Sequence, residues 1–399
     1  MPLKPSQILT LLNKKRADFE TFDKAALQAL ERYRTALQQA SQESTDDLME
    51  RLNLFVANDR GAEPLEICEH CPNWVIPSGL VWQSREQSHQ WVRDRLTGVA
   101  TFAVDGSQIY PGKDLSIPVA LVQIGWFENF HTSDGQYEKD IEVDVMTPND
   151  LKVSSSGEPV DRAVNMRRFQ METQRLVRYM HDRANRPNCL AFLDGSLIVT
   201  FAEAFDEETR QLYTNCVVQL LQASEKYRVP LVSYIDTSYA RDLTLMLQRL
   251  YRLPEVDSIH DAPLLWKLMQ WGDRTPLFRC RRPGILTHYP AGISNHIAFT
   301  YLKTHDGPPV RLEIPTWIYD ANLHEKIIDW VRCEVIIGGG YPYVIETADQ
   351  TAVLKTDDRQ MFYRLLQEWA EEQNLNLRLS RKMVSKVRPT VKEVLSFEF

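Results

Sequence analysis

The sequence lacks any apolar run long enough to cross a membrane. None of its 399 residues belongs to a stretch near the ~20 apolar residues that a spanning helix needs. The first residues also lack the charged start, apolar centre and small-residue cleavage site of a secretory signal. We therefore expect a cytoplasmic protein that does not contact a membrane.

Cysteine is scarce, with 6 residues in the whole chain. Their irregular spacing argues against a framework of disulfides. Cys68 and Cys71 form an isolated CxxC pair, and no second pair follows at the spacing of a zinc site. We expect the cysteines to be free buried thiols, and a metal or redox role is the alternative for this pair.

The chain also lacks an excess of positive charge, since its formal net charge is −8. No overall field would attract nucleic acid, so binding would depend on local patches or on delivery by a partner. Arg281 and Arg282 belong to one basic cluster, for which a solvated surface is the usual explanation. The tail holds a denser cluster that includes Arg381 and Lys382, and there contact with phosphate is an equal alternative.

A regular succession of helical and strand patterns is what the sequence does contain. Helical spacing of leucine and phenylalanine over residues 1–60 predicts an N-terminal helical hairpin arm. The pattern then predicts strands at 99–105, 117–127 and 136–146, a helix at 161–184, a strand at 189–194, a helix at 207–227 and a strand at 229–236. Three strands followed by alternating helices and strands indicate an α/β protein with one mixed sheet flanked by helices.

The rest of the chain completes a division into an arm with its linker (1–97), an α/β domain (98–376) and a basic tail (377–399). The stretch 278–315 indicates further strands. The segment EVIIGGGYP (334–342) predicts a strand, a triple-glycine turn and a helix start, with helices after it at 342–355 and 357–373.

The tripeptide Asp-Gly-Ser occurs twice, in VDGSQ (104–108) and LDGSL (193–197), each time after an apolar strand. Turn chemistry alone would account for it. The alternative is that Asp105 and Asp194 lie at the carboxyl ends of parallel strands, where sites form in α/β sheets. Two adjacent carboxylates repel each other, and a divalent cation such as Mg²⁺ or Mn²⁺ removes that repulsion.

Two helix carboxylates interrupt apolar stripes and are further candidate ligands. Glu172 borders the stripe of its helix, although an ion pair with Arg168 or Arg175 would also explain it. Asp349 shares a helix face with apolar residues, and a hydrogen-bonded interior aspartate is its alternative explanation. Glu346 is a second possible ligand on the same helix.

The order of these acids is that of RNase H-like nucleases: strand Asp, helix Glu, strand Asp, late-helix Asp. The predicted order of elements fits the same fold. In such enzymes two cations hold a phosphate between an attacking water and a leaving oxygen, and carboxylates bring the cations to the polyanion.

The ordered set of motifs resembles the NurA nucleases over roughly residues 100–375. It comprises VDGSQ, the Glu172 helix, LDGSL, RLEIP (311–315) and GGYPYVIETADQTAVL. The resemblance implies an RNase H-like nuclease domain that acts on DNA ends, with two Mn²⁺ or Mg²⁺ ions on Asp105, Glu172, Asp194 and Asp349. It also implies a homodimer that works with a HerA-type hexameric ATPase in end resection and double-strand break repair.

Two departures from the family pattern affect this expectation. Many members have a histidine where this chain has Asp349, and that change keeps a metal ligand. Many have a lysine where this chain offers Asp236, so a transition-state role of that position is in doubt. The expected activity is 5′–3′ exonuclease, single-strand endonuclease or both, and a catalytically weak or inactive scaffold that docks to the ATPase and DNA is the alternative.

Two other motifs leave their role open. The glycines at 338–340 lack the Gly-Lys-Ser/Thr ending of a P-loop. Tyr341 after them would stack on an unpaired base or pack in the core. Arg311 and Glu313 in RLEIP would form an ion pair within the sheet or contact DNA.

Overall fold

A computed structural model describes residues 3–68, 71–112, 115–151, 160–290, 292–293 and 296–378. Their strands form one nine-stranded mixed sheet in the order β1-β7-β8-β9-β6-β5-β2-β3-β4. The strands are β1 (Gly61–Pro64), β2 (Ala100–Ile109), β3 (Ala120–Asn129), β4 (Tyr137–Met146), β5 (Cys189–Asp194), β6 (Leu231–Ile235), β7 (Phe278–Arg281), β8 (Ile297–Leu302) and β9 (Val310–Pro315). The predicted mixed sheet flanked by helices is confirmed.

The described residues also form α-helices before, between and after these strands. The helices are α1 (Pro5–Lys14), α2 (Arg16–Ala40), α3 (Thr45–Leu52), α4 (Arg85–Leu96), α5 (Val160–Asp182), α6 (Glu207–Tyr227), α7 (Asp242–Tyr251), α8 (Asp261–Leu265), α9 (Trp317–Asp320), α10 (His324–Ile337), α11 (Tyr343–Ala352) and α12 (Thr356–Glu372). Of the helices in the described part of the chain, none has the length and apolar character to cross a membrane. The predicted helical character of the N-terminal region is seen in α1 to α3.

The chain divides into two compact units. Unit 1 comprises Met1–Ser88, Gly195–Thr200 and Ser233–His324, and unit 2 comprises His89–Asp194, Phe201–Val232 and Glu325–Phe399. All four predicted carboxylate ligands belong to unit 2.

Unit 2 is built on a meander of three antiparallel strands, β2 to β4, with β5 parallel to β2. One face of β2 packs against α5, where Phe102 stacks on Tyr179 with ring centroids 4.0 Å apart. The opposite face packs against α11, because Gly125 of β3 lies against its last turn. The order of three strands, a helix, a strand and a helix is the predicted one.

The edge strand β4 alternates acidic and apolar residues as expected, but its apolar side is the exposed one. Ile141, Val143 and Val145 are each about half exposed. The acids on the other side form ion pairs with arginines of α5, as in the contact of Asp144 with Arg167 at 2.6 Å. The ion pairs with α5 leave Glu142 and Asp144 only partly exposed.

In unit 1, β7 pairs antiparallel with β1 and β8, and β8 with β9. Arg311 and Glu313 of RLEIP form an ion pair at 2.8 Å, and both side chains are 1% exposed. Glu313 also accepts hydrogen bonds from the Ser196 hydroxyl and the Leu197 amide. The ion-pair interpretation of this motif is therefore correct, and the motif holds the segment that follows the second Asp-Gly-Ser.

The first Asp-Gly-Ser is not a turn, which corrects the prediction that its strand ends at Asp105. β2 continues to Ile109, because its pairing with β3 extends to the pair Ile109 and Leu121. The second Asp-Gly-Ser behaves as expected, since β5 ends at Asp194 and Gly195 has a φ of 130°.

The prediction of a strand at EVII (334–337) is wrong, because these residues form the last turn of α10. The buried residues Ile327, Ile328, Val331 and Val335 recur at helical spacing. A short apolar run before glycine does not distinguish a strand from a buried helix. The predicted helices after it are confirmed as α11 and α12.

The cysteines differ in part from the expectation of free thiols. Cys68 and Cys71 are joined by a disulfide. Cys189, Cys216 and Cys280 are free and buried, as is Cys333.

Candidate active site

Asp105 and Asp194 lie side by side on neighbouring strands of unit 2. Val104 of β2 is the parallel partner of Leu193 of β5, so the two aspartates are the next residues in register. Adjacent strands lie about 4.8 Å apart. Val104 and Leu193 are buried on one face, so the aspartates share the other face, because side chains alternate along a strand.

Asp349 reaches the same face from α11. The antiparallel partner of Asp105 is Gly125, and a Cβ at that glycine would lie 2.6 Å from the backbone nitrogen of Ala352. The missing side chain lets α11 approach the sheet, and Asp349 lies close enough to Asp105 to raise its pKa. Asp349 is exposed, so the alternative explanation of an interior aspartate is wrong.

Glu172 arrives from the opposite face, on α5. A Cβ at Gly106 would overlap Oε1 of Glu172 and the side chain of Arg168. Arg168 donates a hydrogen bond to the Gly106 carbonyl at 3.1 Å and lies 3.7 Å from Glu172. The ion pair that the sequence offered as an alternative is therefore present, and it leaves Glu172 close enough to Asp105 and Asp194 to interact with both.

Tyr341 contacts the site through its hydroxyl, which donates a hydrogen bond to Oδ1 of Asp194 at 3.2 Å. It follows the triple glycine, in which Gly339 and Gly340 have φ values of 70° and 130°. Glycine adopts such angles without the steric cost that a Cβ imposes. The glycines thus form the turn between α10 and α11 that carries this tyrosine.

The pKa values of the inner carboxyls are raised. Burial raises the pKa of Glu172 to about 8, against the lowering effect of Arg168, and the charges of Asp105 and Asp194 add to the rise. Burial likewise raises the pKa of Asp105 to about 6, with further contributions from Asp349 and Asp194. Acids that are held this close together repel each other when they are ionised, and a positive charge beside them would relieve that repulsion.

These side chains are of the type that binds a divalent cation. Among the described residues, the buried Oε1 of Glu172 has no hydrogen-bond partner, and an oxygen of this kind is the ligand that Mg²⁺ and Mn²⁺ prefer. Asp194 and Asp349 are exposed while Glu172 is buried. The cluster therefore runs from the interior of unit 2 to its surface, where a polymer has access.

The model of a protein family described as the NurA domain matches residues 99–354. The chain belongs to the NurA family. Since this is a family of nucleases, the protein is a nuclease, and the matched range contains all four candidate carboxylates. No curated protein matches the chain.

Among solved structures, the catalytic domain of human Endonuclease V is similar to this member of the NurA family at 14% sequence identity. The match has a TM-score of 0.32 and covers 69% of this chain and 88% of that one.

Two of the arginines that the sequence offered as DNA contacts form ion pairs within the protein. Arg281 pairs with Glu63 at 2.5 Å and Arg282 with Asp242 at 2.5 Å. Their guanidinium groups are engaged within unit 1, so we leave them out of the DNA surface proposed below. Arg381 and Lys382 lie outside the described residues.

Sequence reasoning missed two features of the site. The close approach of Glu172 at Gly106 has no local signal, because it joins two elements far apart in the chain. The contact of Tyr341 with Asp194 was missed for the same reason, although a polar aromatic directly after three glycines marks a residue with a defined position.

Proposed function

We propose that this NurA protein is an Mn²⁺- or Mg²⁺-dependent deoxyribonuclease that hydrolyses phosphodiester bonds at DNA ends. It acts as a 5′–3′ exonuclease, a single-strand endonuclease or both. The observation that supports the proposal best is the convergence of Asp105, Glu172, Asp194 and Asp349 from two strands and two helices. The raised pKa values of Asp105 and Glu172 favour a site that two cations complete.

The four carboxylates would hold the cations. The bound cations would supply the positive charge that stabilises the phosphate in the transition state and lowers the pKa of a water. Asp105 and Asp194 present their oxygens from adjacent strands, while Glu172 and Asp349 approach from the two faces. Tyr341 fixes the carboxylate plane of Asp194, as hydrogen bonds to metal-ligating carboxylates do.

The proposed biological setting is DNA end resection and double-strand break repair, as a homodimer in the cytoplasm with a HerA-type hexameric ATPase. The net charge of −8 supports weak intrinsic affinity for DNA and delivery by a partner. Contact with phosphates falls to the tail that contains Arg381 and Lys382, and stacking of Tyr341 on an unpaired base is the alternative to its contact with Asp194.

A non-catalytic scaffold is the second candidate, and Asp236 is the observation that favours it. Its carboxylate lies 3.6 Å from the His305 ring within unit 1. An anion at this position cannot supply the positive charge that stabilises a phosphoryl-transfer transition state. Under this proposal the chain would bind DNA and the ATPase without cutting.

The deciding experiment is cleavage of an end-labelled linear duplex with Mn²⁺, with Mg²⁺ and with EDTA. We expect cleavage with a metal, none with EDTA and none with Asp105→Ala. Binding without cleavage, with and without the ATPase, would establish the scaffold instead. Linear DNA, circular DNA and RNA substrates compared in parallel would separate end processing from endonuclease or ribonuclease activity.

A further inference from the structure

Glu334 of α10 is a fully buried carboxylate that the proposed chemistry does not use. Its side chain is 0% exposed. Moving a carboxylate out of water costs several kcal/mol even after relaxation. Such a residue is tolerated where its partners compensate, so the identity of those partners shows what it does.

Its partners belong to different elements of unit 2. The Thr101 hydroxyl of β2 donates to Oε1 at 2.6 Å, and the Val344 amide of α11 donates to Oε2 at 3.0 Å. Nε2 of His131, in the turn after β3, lies 3.2 Å from Oε1 but makes no hydrogen bond with it. The His131 ring is itself held by a hydrogen bond, because its Nδ1 is 2.7 Å from the Val99 carbonyl. A carbonyl oxygen only accepts hydrogen bonds, so Nδ1 is the donor.

The contact with Val344 caps a helix from outside. The first amides of a helix have no partner inside it. Pro342, the N-cap residue of α11, makes no side-chain cap. Glu334 supplies the acceptor that is missing and places negative charge at the positive end of the helix.

The two donors stand on the elements that carry two site carboxylates. Thr101 precedes Asp105 on β2, and Val344 precedes Asp349 on α11. One carboxylate thus spans the strand that carries Asp105 and the helix that carries Asp349. A change at Glu334 would let α11 shift relative to β2, and the separation of Asp105 and Asp349 would shift with it.

We propose that Glu334 is a positioning residue that holds β2 and α11 in register, so that Asp105 and Asp349 receive a cation together. This inference rests on the proposed metal-dependent nuclease function. It assigns no chemistry to Glu334 itself, which acts only through the side chains that it aligns.

The test is Glu334→Gln, which keeps the shape but replaces one acceptor with a donor. We expect the affinity for Mn²⁺, measured by calorimetry without DNA, to fall about 10-fold or more, as when a partner of a metal ligand is lost. The Mn²⁺ concentration for half-maximal cleavage should rise equally, while kcat at saturating Mn²⁺ and KM for DNA stay within about twofold.

The matched control is Glu128→Gln, which removes another buried carboxylate of unit 2, paired with Arg183 at 2.8 Å. It should lower the thermal midpoint without changing Mn²⁺ affinity. Thr101→Val, which removes one donor and keeps the volume, should weaken Mn²⁺ binding in the same direction as Glu334→Gln. It also serves as the test if Glu334→Gln does not fold.

Two results overturn the inference. One is Mn²⁺ affinity unchanged in Glu334→Gln, or in Thr101→Val if the first variant does not fold. The other is a loss shared equally by Glu128→Gln. Wild-type protein that neither binds Mn²⁺ nor cuts DNA would instead refute the proposed function, so the two failures are distinguishable.

Discussion

At the scale of single residues, the raised pKa values make cation binding depend on pH. The pKa is about 8 for Glu172 and about 6 for Asp105. Below its pKa, each of these carboxyls carries a proton in the metal-free protein, and a cation must displace that proton to bind. Affinity for Mn²⁺ should therefore rise with pH and level off above about 8. Calorimetry in buffers of different ionisation enthalpy measures both the affinity and the protons released.

The same pKa shifts should make the stability of the metal-free protein fall as pH rises, whereas its affinity for Mn²⁺ rises. Both pKa values are higher in the folded than in the unfolded state, so the folded state binds more protons and loses stability as pH rises from about 4 to about 8. Saturating Mn²⁺ should remove the decline in thermal midpoint. Glu172→Gln should remove its upper part without metal, and a decline that persists unchanged in this variant would show that other groups cause it.

Tyr341 offers two roles that one pair of substitutions separates. If its hydroxyl orients Asp194, Tyr341→Phe should lower kcat about 10-fold or more, because the ring remains but the hydrogen bond is lost. If the ring stacks on a base, Tyr341→Phe should retain activity and Tyr341→Ala should raise KM for single-stranded DNA. We expect the first result, since the 3.2 Å contact with Asp194 is present without DNA.

At the scale of elements, two glycines set how closely the helices approach the sheet. Gly106→Ala would meet Oε1 of Glu172 and Cγ and Cδ of Arg168, which are side-chain atoms and not backbone. This variant should fold with a nearly unchanged thermal midpoint and lose most of its cleavage activity. Gly125→Ala would meet the backbone of Ala352 and Thr351 instead, so it should destabilise unit 2 by about 1–3 kcal/mol. Denaturant unfolding and cleavage assays on both variants check this contrast, and equal stability losses would contradict it.

The sequence was most informative where an element carries its own periodicity. The boundaries of α5, β5 and α6 follow from apolar spacing, and so does the order of the acids. It failed at EVII, because a short apolar run before glycine has the same pattern in a helix and in a strand. It also failed beyond Asp105, because only pairing with β3 decides how far β2 runs. The meeting of Glu172 with Gly106 is a tertiary contact that no local pattern encodes.

At the scale of the whole molecule, the net charge of −8 predicts that DNA binding and hydrolysis depend on different features of the protein. Carboxylates at the mouth of the site repel the phosphate backbone until cations neutralise them, and the overall field adds to that repulsion. Under the proposed function, we expect such a nuclease to depend on its partner for substrate, and its rate of hydrolysis to depend on the carboxylate cluster.

Addition of a HerA-type ATPase should therefore lower KM for a linear duplex and leave kcat nearly unchanged. Without the ATPase, KM should rise steeply with salt, because the remaining attraction comes from local basic groups that screening weakens. Steady-state cleavage over a series of salt concentrations, with and without the ATPase, measures both effects, and Asp105→Ala with the ATPase gives the background. If the ATPase raised kcat at saturating DNA instead, the partner would act on the site itself, and delivery would not explain the association.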